Sequence, residues 1–119
     1  MEFEFNSTTP IYIQIIEQIK TDIISGKIGI GERLPSVREI ALKLKVNPNT
    51  VQKALSDLEL AGLIYTERTN GKFVTENLAL IEKYKKEYAD RLANSFLENM
   101  KTIGFSSGDA IAYLKKTEE

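Results

Sequence analysis

The pair Asn47-Pro48 constrains this chain more than any other feature of its sequence. Proline fixes its own φ and has no N–H, so a helix tolerates it only in the first turn, and the first helical position suits it best. A helix therefore starts at Pro48, with the Asn47 side chain placed to cap it. Shortly upstream, Ser36-Val37-Arg38-Glu39 has the Ser-x-x-Glu pattern of a capping box, which starts another helix. That helix carries Ile40, Ala41 and Leu44 on its apolar side and must end before Asn47. Lys45 and Val46 are left to make a tight turn between two short helices.

The flanking segments parse in the same way. Thr9 and Pro10 read as a cap and first helical residue, followed by Ile11, Ile15, Ile16, Ile19 and Ile23 at helical spacing, and Gly26 stops the helix. In the Gly-rich stretch GKIGIGERLP, the residues Ile28, Ile30 and Leu34 fit either a short strand or loop anchors. The helix from Pro48 carries Val51, Ala54, Leu55, Leu58 and Ala61 and ends at Gly62. LIYTERTNGKFVTE reads as two strands around Thr69-Asn70-Gly71, because Asn-Gly supplies the positive φ angles of tight hairpins. Beyond Thr75, Leu78, Ile81, Tyr84, Tyr88, Leu92, Phe96 and Met100 recur at helical steps until Gly104. Ser106 or Ser107 then caps a last short helix with Ile111 and Leu114.

The expected fold is mainly α with a small β-hairpin. The order helix, helix, tight turn, helix, hairpin is that of a winged helix-turn-helix, followed by a C-terminal helical tail. The boundary is placed between a DNA-binding domain, residues 1–76, and a dimerisation tail, residues 77–119.

Composition removes several functions. The chain has no Cys and no His, which excludes disulfides, Cys-His zinc sites and Cys- or Ser-His catalysis. Glu39 is committed to its cap and no Asp/Glu group has ligand spacing, so neither an enzyme nor a metal or cofactor is expected. No apolar run spans a membrane, and MEFEFNS lacks the basic start and apolar core of a signal peptide, so a cytoplasmic protein is expected.

Net charge is −1, but its distribution is uneven. From Arg33 to Lys53 the bases Arg33, Arg38, Lys43, Lys45 and Lys53 face the single acid Glu39. The helix at Pro48 opens on Asn49, Thr50, Gln52 and Lys53, where helix starts usually favour acids. An acid-free helix start with donors leaves room for phosphate. In a winged helix this is the segment that enters the major groove, while the hairpin tip reaches the backbone or the minor groove.

These residues resemble the GntR family of bacterial transcription regulators. The resemblance is carried by Gly31 to Ala41 (GERLPSVREIA), Val46 to Val51 (VNPNTV) and Gly71 to Val74 (GKFV), in order and at matching spacing. The short tail is similar to the small YtrA-type branch, whose members are dimeric repressors often placed beside transporter genes. The resemblance implies DNA contacts from Ser36 and Arg38, from Asn47, Pro48, Asn49 and Thr50, from Gln52 or Lys53, and from Asn70, Gly71 and Lys72. Two departures stand out: Thr69 replaces a common wing glycine, and Gln52 sits where several relatives carry arginine.

With the bases Arg33 and Arg68, this defines the candidate DNA-binding set. Within it Asn47 is chiefly a cap, while Asn49 and Gln52 are the readers of base edges, since each can pair bidentately with adenine. Lys43 and Lys45 are phosphate partners or solvated charge. The tail stripe either folds back as core or meets a second copy. Its length favours a dimer through Ile81, Tyr84, Tyr88, Leu92, Phe96 and Met100, which suits a palindromic operator. No residue pattern points to a small-molecule effector. The rival reading is a winged-helix module that binds protein and not DNA, which would not need the Arg33 to Lys53 charge asymmetry.

Overall fold

A computed structural model describes residues 4–118. It comprises two compact units, one ending at Lys83 and one beginning at Tyr84.

The first unit contains α1 (Ile11–Ile24), α2 (Val37–Leu44), α3 (Pro48–Leu60), and the antiparallel strands β1 (Ile64–Glu67) and β2 (Gly71–Val74). Its core is made by the predicted apolar faces: Ile15, Ile19 and Ile23 of α1, Ile40 of α2, and Val51, Leu55 and Leu58 of α3 are all at most 2% exposed. Leu63, Ile64 and Val74 extend that core under the hairpin. Full burial of such a side chain contributes roughly 1.5–3 kcal/mol, so the packing of α1 on α3 anchors the unit.

The local signals for α2 and α3 materialise as bonds. The Ser36 hydroxyl accepts from the Glu39 N–H at 3.1 Å, and the Glu39 carboxylate accepts from the Ser36 N–H at 3.2 Å. The Asn47 side chain accepts from the Asn49 N–H at 2.8 Å, and Pro48 is the first residue of α3. Between the two helices Lys45 takes φ 58° and ψ 48°; among the described residues no other non-glycine has positive φ. This left-handed conformation costs an L-residue roughly 1–2 kcal/mol. Part of that gain is lost to glycine's greater unfolded entropy, so Lys45→Gly is expected to stabilise the fold by roughly 0.5–1 kcal/mol. A denaturation midpoint that fails to rise would show that side-chain contacts of Lys45 outweigh its backbone strain.

Three expectations need correction or completion. Pro10 is the N-cap of α1, with ψ 140°, and the helix starts at Ile11; Thr9 is not the cap. The reason is a local network: the Asn6 side chain accepts from the N–H groups of Thr8 and Thr9, and the Gln14 amide reaches back to the Thr9 carbonyl at 2.7 Å. The hairpin turn is also different. Glu67 pairs with Gly71, so the loop is Arg68-Thr69-Asn70, and the positive φ falls on Gly71 (104°) with none on Asn70. The Asn70 N–H bonds to the Glu67 carbonyl at 3.2 Å, as in a three-residue hairpin loop followed by a bulge glycine.

The segment 31–34, left open by the sequence, joins the hairpin as a third edge. Gly31 and Leu34 donate to the carbonyls of Val74 and Lys72, and the Val74 N–H donates to Glu32. Leu34 is buried there, whereas Ile30 is 54% exposed.

The helix α4 (Leu78–Thr102) starts under an Asn77 cap that accepts from the Leu80 N–H at 3.1 Å. The second unit takes the rest of α4 and α5 (Ser107–Thr117). Ser106 caps α5 in a reciprocal box with Asp109. Among the described residues of this unit only Ala110 is buried, while Leu92, Ile103, Ile111, Tyr113 and Leu114 are 47–68% exposed. A pair of helices with this little interior has no core of its own.

Candidate nucleic-acid interface

The start of α3 projects Asn49, Gln52 and Lys53 to solvent, with Thr50 half-buried and no acid in the first turn. The Asn49 N–H is taken by the Asn47 cap and the Thr50 N–H by the Asn47 carbonyl at 3.0 Å, so this end offers an anion its acid-free dipole and its polar side chains rather than open N–H groups. The Asn47 oxygen is engaged in the cap, which leaves its amide nitrogen the freer group for a ligand. Gln52 lies one turn on and donates from Nε2 to the Ser56 hydroxyl at 3.2 Å. Lys53 is drawn sideways: its Nζ sits 4.4 Å above the ring of Tyr12, linking α3 to α1. Such a cation–π contact is worth roughly 0.5–1 kcal/mol at an exposed site.

Arg38, in the first turn of α2, is exposed and forms no hydrogen bond or ion pair with any described residue. Glu39 beside it is occupied. Hydrogen bonds from the Ser36 backbone and then its hydroxyl, helped by the Arg33 charge, hold its carboxyl below the ordinary glutamate range against a small opposing effect of burial. A lowered folded pKa stabilises the fold above the unfolded carboxyl's value and loses that contribution as pH falls through the folded one. Acid titration should therefore release the α2 cap, and Glu39→Gln should remove that part of the acid transition seen by the amide signals of Ser36 and Glu39.

The wing and the start of α2 enclose a cleft of about 270 Å³, lined among others by Arg33, Ser36, Arg68, Gly71 and Lys72. Arg33 lies along the wing: a Cβ added to Gly71 would come within 3.1 Å of its Nε. Gly71 is thus required by its φ, while the exposed Arg33 side chain would need to give only slightly to admit a Cβ. Arg68 and Asn70 are exposed at the tip, where the Asn70 amide donates to Glu67 at 3.2 Å.

Lys72 behaves differently from the expectation that it faces a phosphate. Its side chain is only 20% exposed, and its Nζ donates to the Thr66 hydroxyl at 2.8 Å and pairs with Glu59 at 3.6 Å. Of the candidate set, Arg33, Ser36, Arg38, Asn47, Pro48, Asn49, Gln52, Lys53, Arg68 and Asn70 are exposed and Thr50 and Gly71 half-buried, whereas Lys72 is turned inward; Lys53, though exposed, also rests on the Tyr12 ring. Tyr12, Glu59 and Thr66 had no local signal in the sequence, because each meets its partner only through the tertiary fold.

The tail residues divide too. Ile81 is 7% exposed in the single chain and belongs to the first unit, so its side chain is already covered. Tyr84, Tyr88, Phe96 and Met100 are half-buried and Leu92 is exposed. Among the described residues no cluster of His, Cys, Asp and Glu could hold a metal, and no helix is long and apolar enough to cross a membrane.

Three helices with a three-residue turn, 45–47, before the third, followed by an antiparallel hairpin, define a winged helix-turn-helix DNA-binding regulator. Residues 11–74 match the bacterial regulatory proteins of the gntR family, and the chain belongs to that family, as its motifs imply. It is 41% identical to a GntR family transcriptional regulator from Listeria monocytogenes, with a TM-score of 0.86 over 94% of this chain and 98% of that one. It is 46% identical over 77 residues to the HTH-type transcriptional repressor YtrA of Bacillus subtilis, covering 65% of this chain and 59% of the repressor. The DNA-binding domain of AraR, solved in complex with operator ORR3, is 31% identical at a TM-score of 0.55 over 63% of this chain and 93% of that domain. These relatives are DNA-binding regulators of transcription and not enzymes, in keeping with a sequence that offers no catalytic constellation.

Proposed function

We propose that the protein is a dimeric repressor that recognises a palindromic DNA operator. The observation that carries this reading is the acid-free start of α3, rich in polar side chains, in one unit with the wing tip and with Arg38, which has no partner among the described residues. Asn49 and Gln52 read base edges in the major groove. Ser36 and Arg38 at the start of α2, and Pro48 and Thr50 at the start of α3, dock on phosphates, and Arg33, Arg68, Asn70 and Gly71 follow the backbone or minor groove. The dimer is supported by the second unit, whose apolar side chains lie open while its interior holds little more than Ala110. Tyr84, Tyr88, Leu92, Phe96 and Met100 then pack against the same residues of a second copy. The similarity to the repressor YtrA supports repression, and the resemblance of the tail to the YtrA-type branch makes transporter genes the first place to seek the operator. The work is done in the cytoplasm, where the operator is.

Selection of bound sequences from a random duplex pool, with the molar mass measured by light scattering, tests this directly. The expected result is a dimer and a palindrome with half-sites about one helical turn apart. A monomer with undiminished operator affinity, or a pool with no consensus, would overturn it.

A further inference from the structure

Glu59 lies at the end of α3, far along the helix from its base-reading start, and touches both strands of the wing. The Thr66 hydroxyl of β1 donates to Glu59 Oε1, and Lys72 of β2 pairs with the same oxygen at 3.6 Å. The Lys72 ammonium also donates to Thr66 Oγ1 at 2.8 Å, so the hydroxyl gives one hydrogen bond and accepts another. Thr66 and Lys72 are direct cross-strand partners. One carboxylate on the recognition helix therefore grips a matched rung of the hairpin.

We infer that Glu59 is a positioning residue for DNA recognition, a latch that fixes the wing against α3 and withholds the Lys72 charge from phosphate. The inference rests on the reading that α3 and the wing face DNA together. Two surfaces that dock on one duplex must keep a fixed relation to each other. The hairpin meets α3 directly after the Gly62 turn, where φ is 80°. A hairpin of four-residue strands gains little rigidity from its own ladder. With Lys72 paired to Glu59, the wing-side cations that line the cleft toward the start of α2 without a salt bridge to any described residue are Arg33, whose charge also acts on Glu39, and Arg68. The latch thus decides where the wing sits and which of its charges meets the backbone.

A charge-swap series on the full chain tests the inference. Glu59→Lys and Lys72→Glu are each expected to weaken operator binding roughly three- to tenfold, the scale of one hydrogen-bonded ion pair. The double swap should regain most of that loss, because the pair is restored with its signs exchanged. Lys72→Met, which keeps the apolar stem, should weaken operator binding while leaving the dependence on salt unchanged. Glu59→Gln should free Lys72, strengthen binding to a scrambled duplex and steepen the salt slope by about one unit. Amide hydrogen exchange at Tyr65 and Phe73, the neighbouring pair whose N–H groups lie between the two strands, should accelerate several-fold in Glu59→Gln in the free protein. If Lys72→Met shallows the salt slope by a full unit and the double swap restores nothing, Lys72 is a phosphate contact and the latch is wrong. If no variant, nor the parent, binds duplex, the DNA reading fails instead, and the exchange rates alone decide the latch.

Discussion

Cutting the chain after Lys83 is expected to reduce operator affinity by roughly 10²–10⁴-fold while leaving the DNA-binding unit folded. Two half-sites bound by linked units act through effective concentration, and the cut removes the link without touching a DNA-facing side chain. The position of the cut matters. Ile81 is 7% exposed and belongs to the first unit, so ending at Glu76 would strip that cover and mix unfolding with loss of the dimer. A cut after Lys83 keeps Ile81 and the Asn77 cap. The truncated protein should melt cooperatively, scatter light as a monomer and lose far less affinity for a scrambled duplex than for the operator. Equal operator affinity before and after the cut would give the tail a different task. The exposed Leu92, Ile103, Ile111 and Leu114 would then need another partner.

What the sequence reveals of this fold depends on how far apart the interacting groups lie in the chain. The Ser36–Glu39 box and the Asn47 cap close within three residues, so their patterns determine them almost alone. The core faces of α1 and α3 follow from periodicity, which needs only a few turns of helix to declare itself. The hairpin is legible but its turn type is not. Asn-Gly allows a two-residue turn, and the loop lengthens because the ladder ends at the Glu67–Gly71 pair. At the other end, Thr9 has the chemistry of a cap, yet the Gln14 amide takes its carbonyl and Pro10 holds the cap position.

The site divides along the same line. Arg38 and the carboxylate-free first turn of α3 were readable because their chemistry is an absence of local partners. The inward turn of Lys72 and the capture of Lys53 were not, since Glu59 and Tyr12 lie 13 and 41 residues away and only the packed fold brings them near. Arg33 meets Gly71 across a similar distance. Charge counting treats every lysine and arginine as free, and the tertiary structure removes some of them. Ile81 shows the apolar version: periodicity places it on the same stripe as Tyr84 and Tyr88 without saying that its own unit covers it.

The contacts proposed for Arg38, Asn49 and Gln52 predict different signatures in one salt series. Arg38, in the first turn of α2, pairs with no described residue, so Arg38→Ala should weaken binding to operator and scrambled duplex together. Losing one phosphate contact releases one fewer condensed counterion, and the slope of log affinity against log salt should become shallower by about one unit. Asn49 and Gln52 carry no charge, and their truncation should leave that slope nearly unchanged. Each should instead cost on the order of 1–3 kcal/mol at a single base position of each half-site, relaxing the preference there. The two are not equivalent. Gln52 already commits one Nε2 hydrogen to Ser56, which restricts the orientations in which its other hydrogen and Oε1 can meet a base, whereas the Asn49 side chain makes no hydrogen bond with any described residue. Asn49→Ala should therefore show the larger loss of discrimination, and Ser56→Ala should leave binding unchanged or strengthen the Gln52 contact. Equal weakening of operator and scrambled duplex by Asn49→Ala would remove it as a reader. An unchanged affinity for Arg38→Ala at low salt would mean that α2 does not dock on the backbone, and the orientation of α3 in the groove would have to be drawn anew.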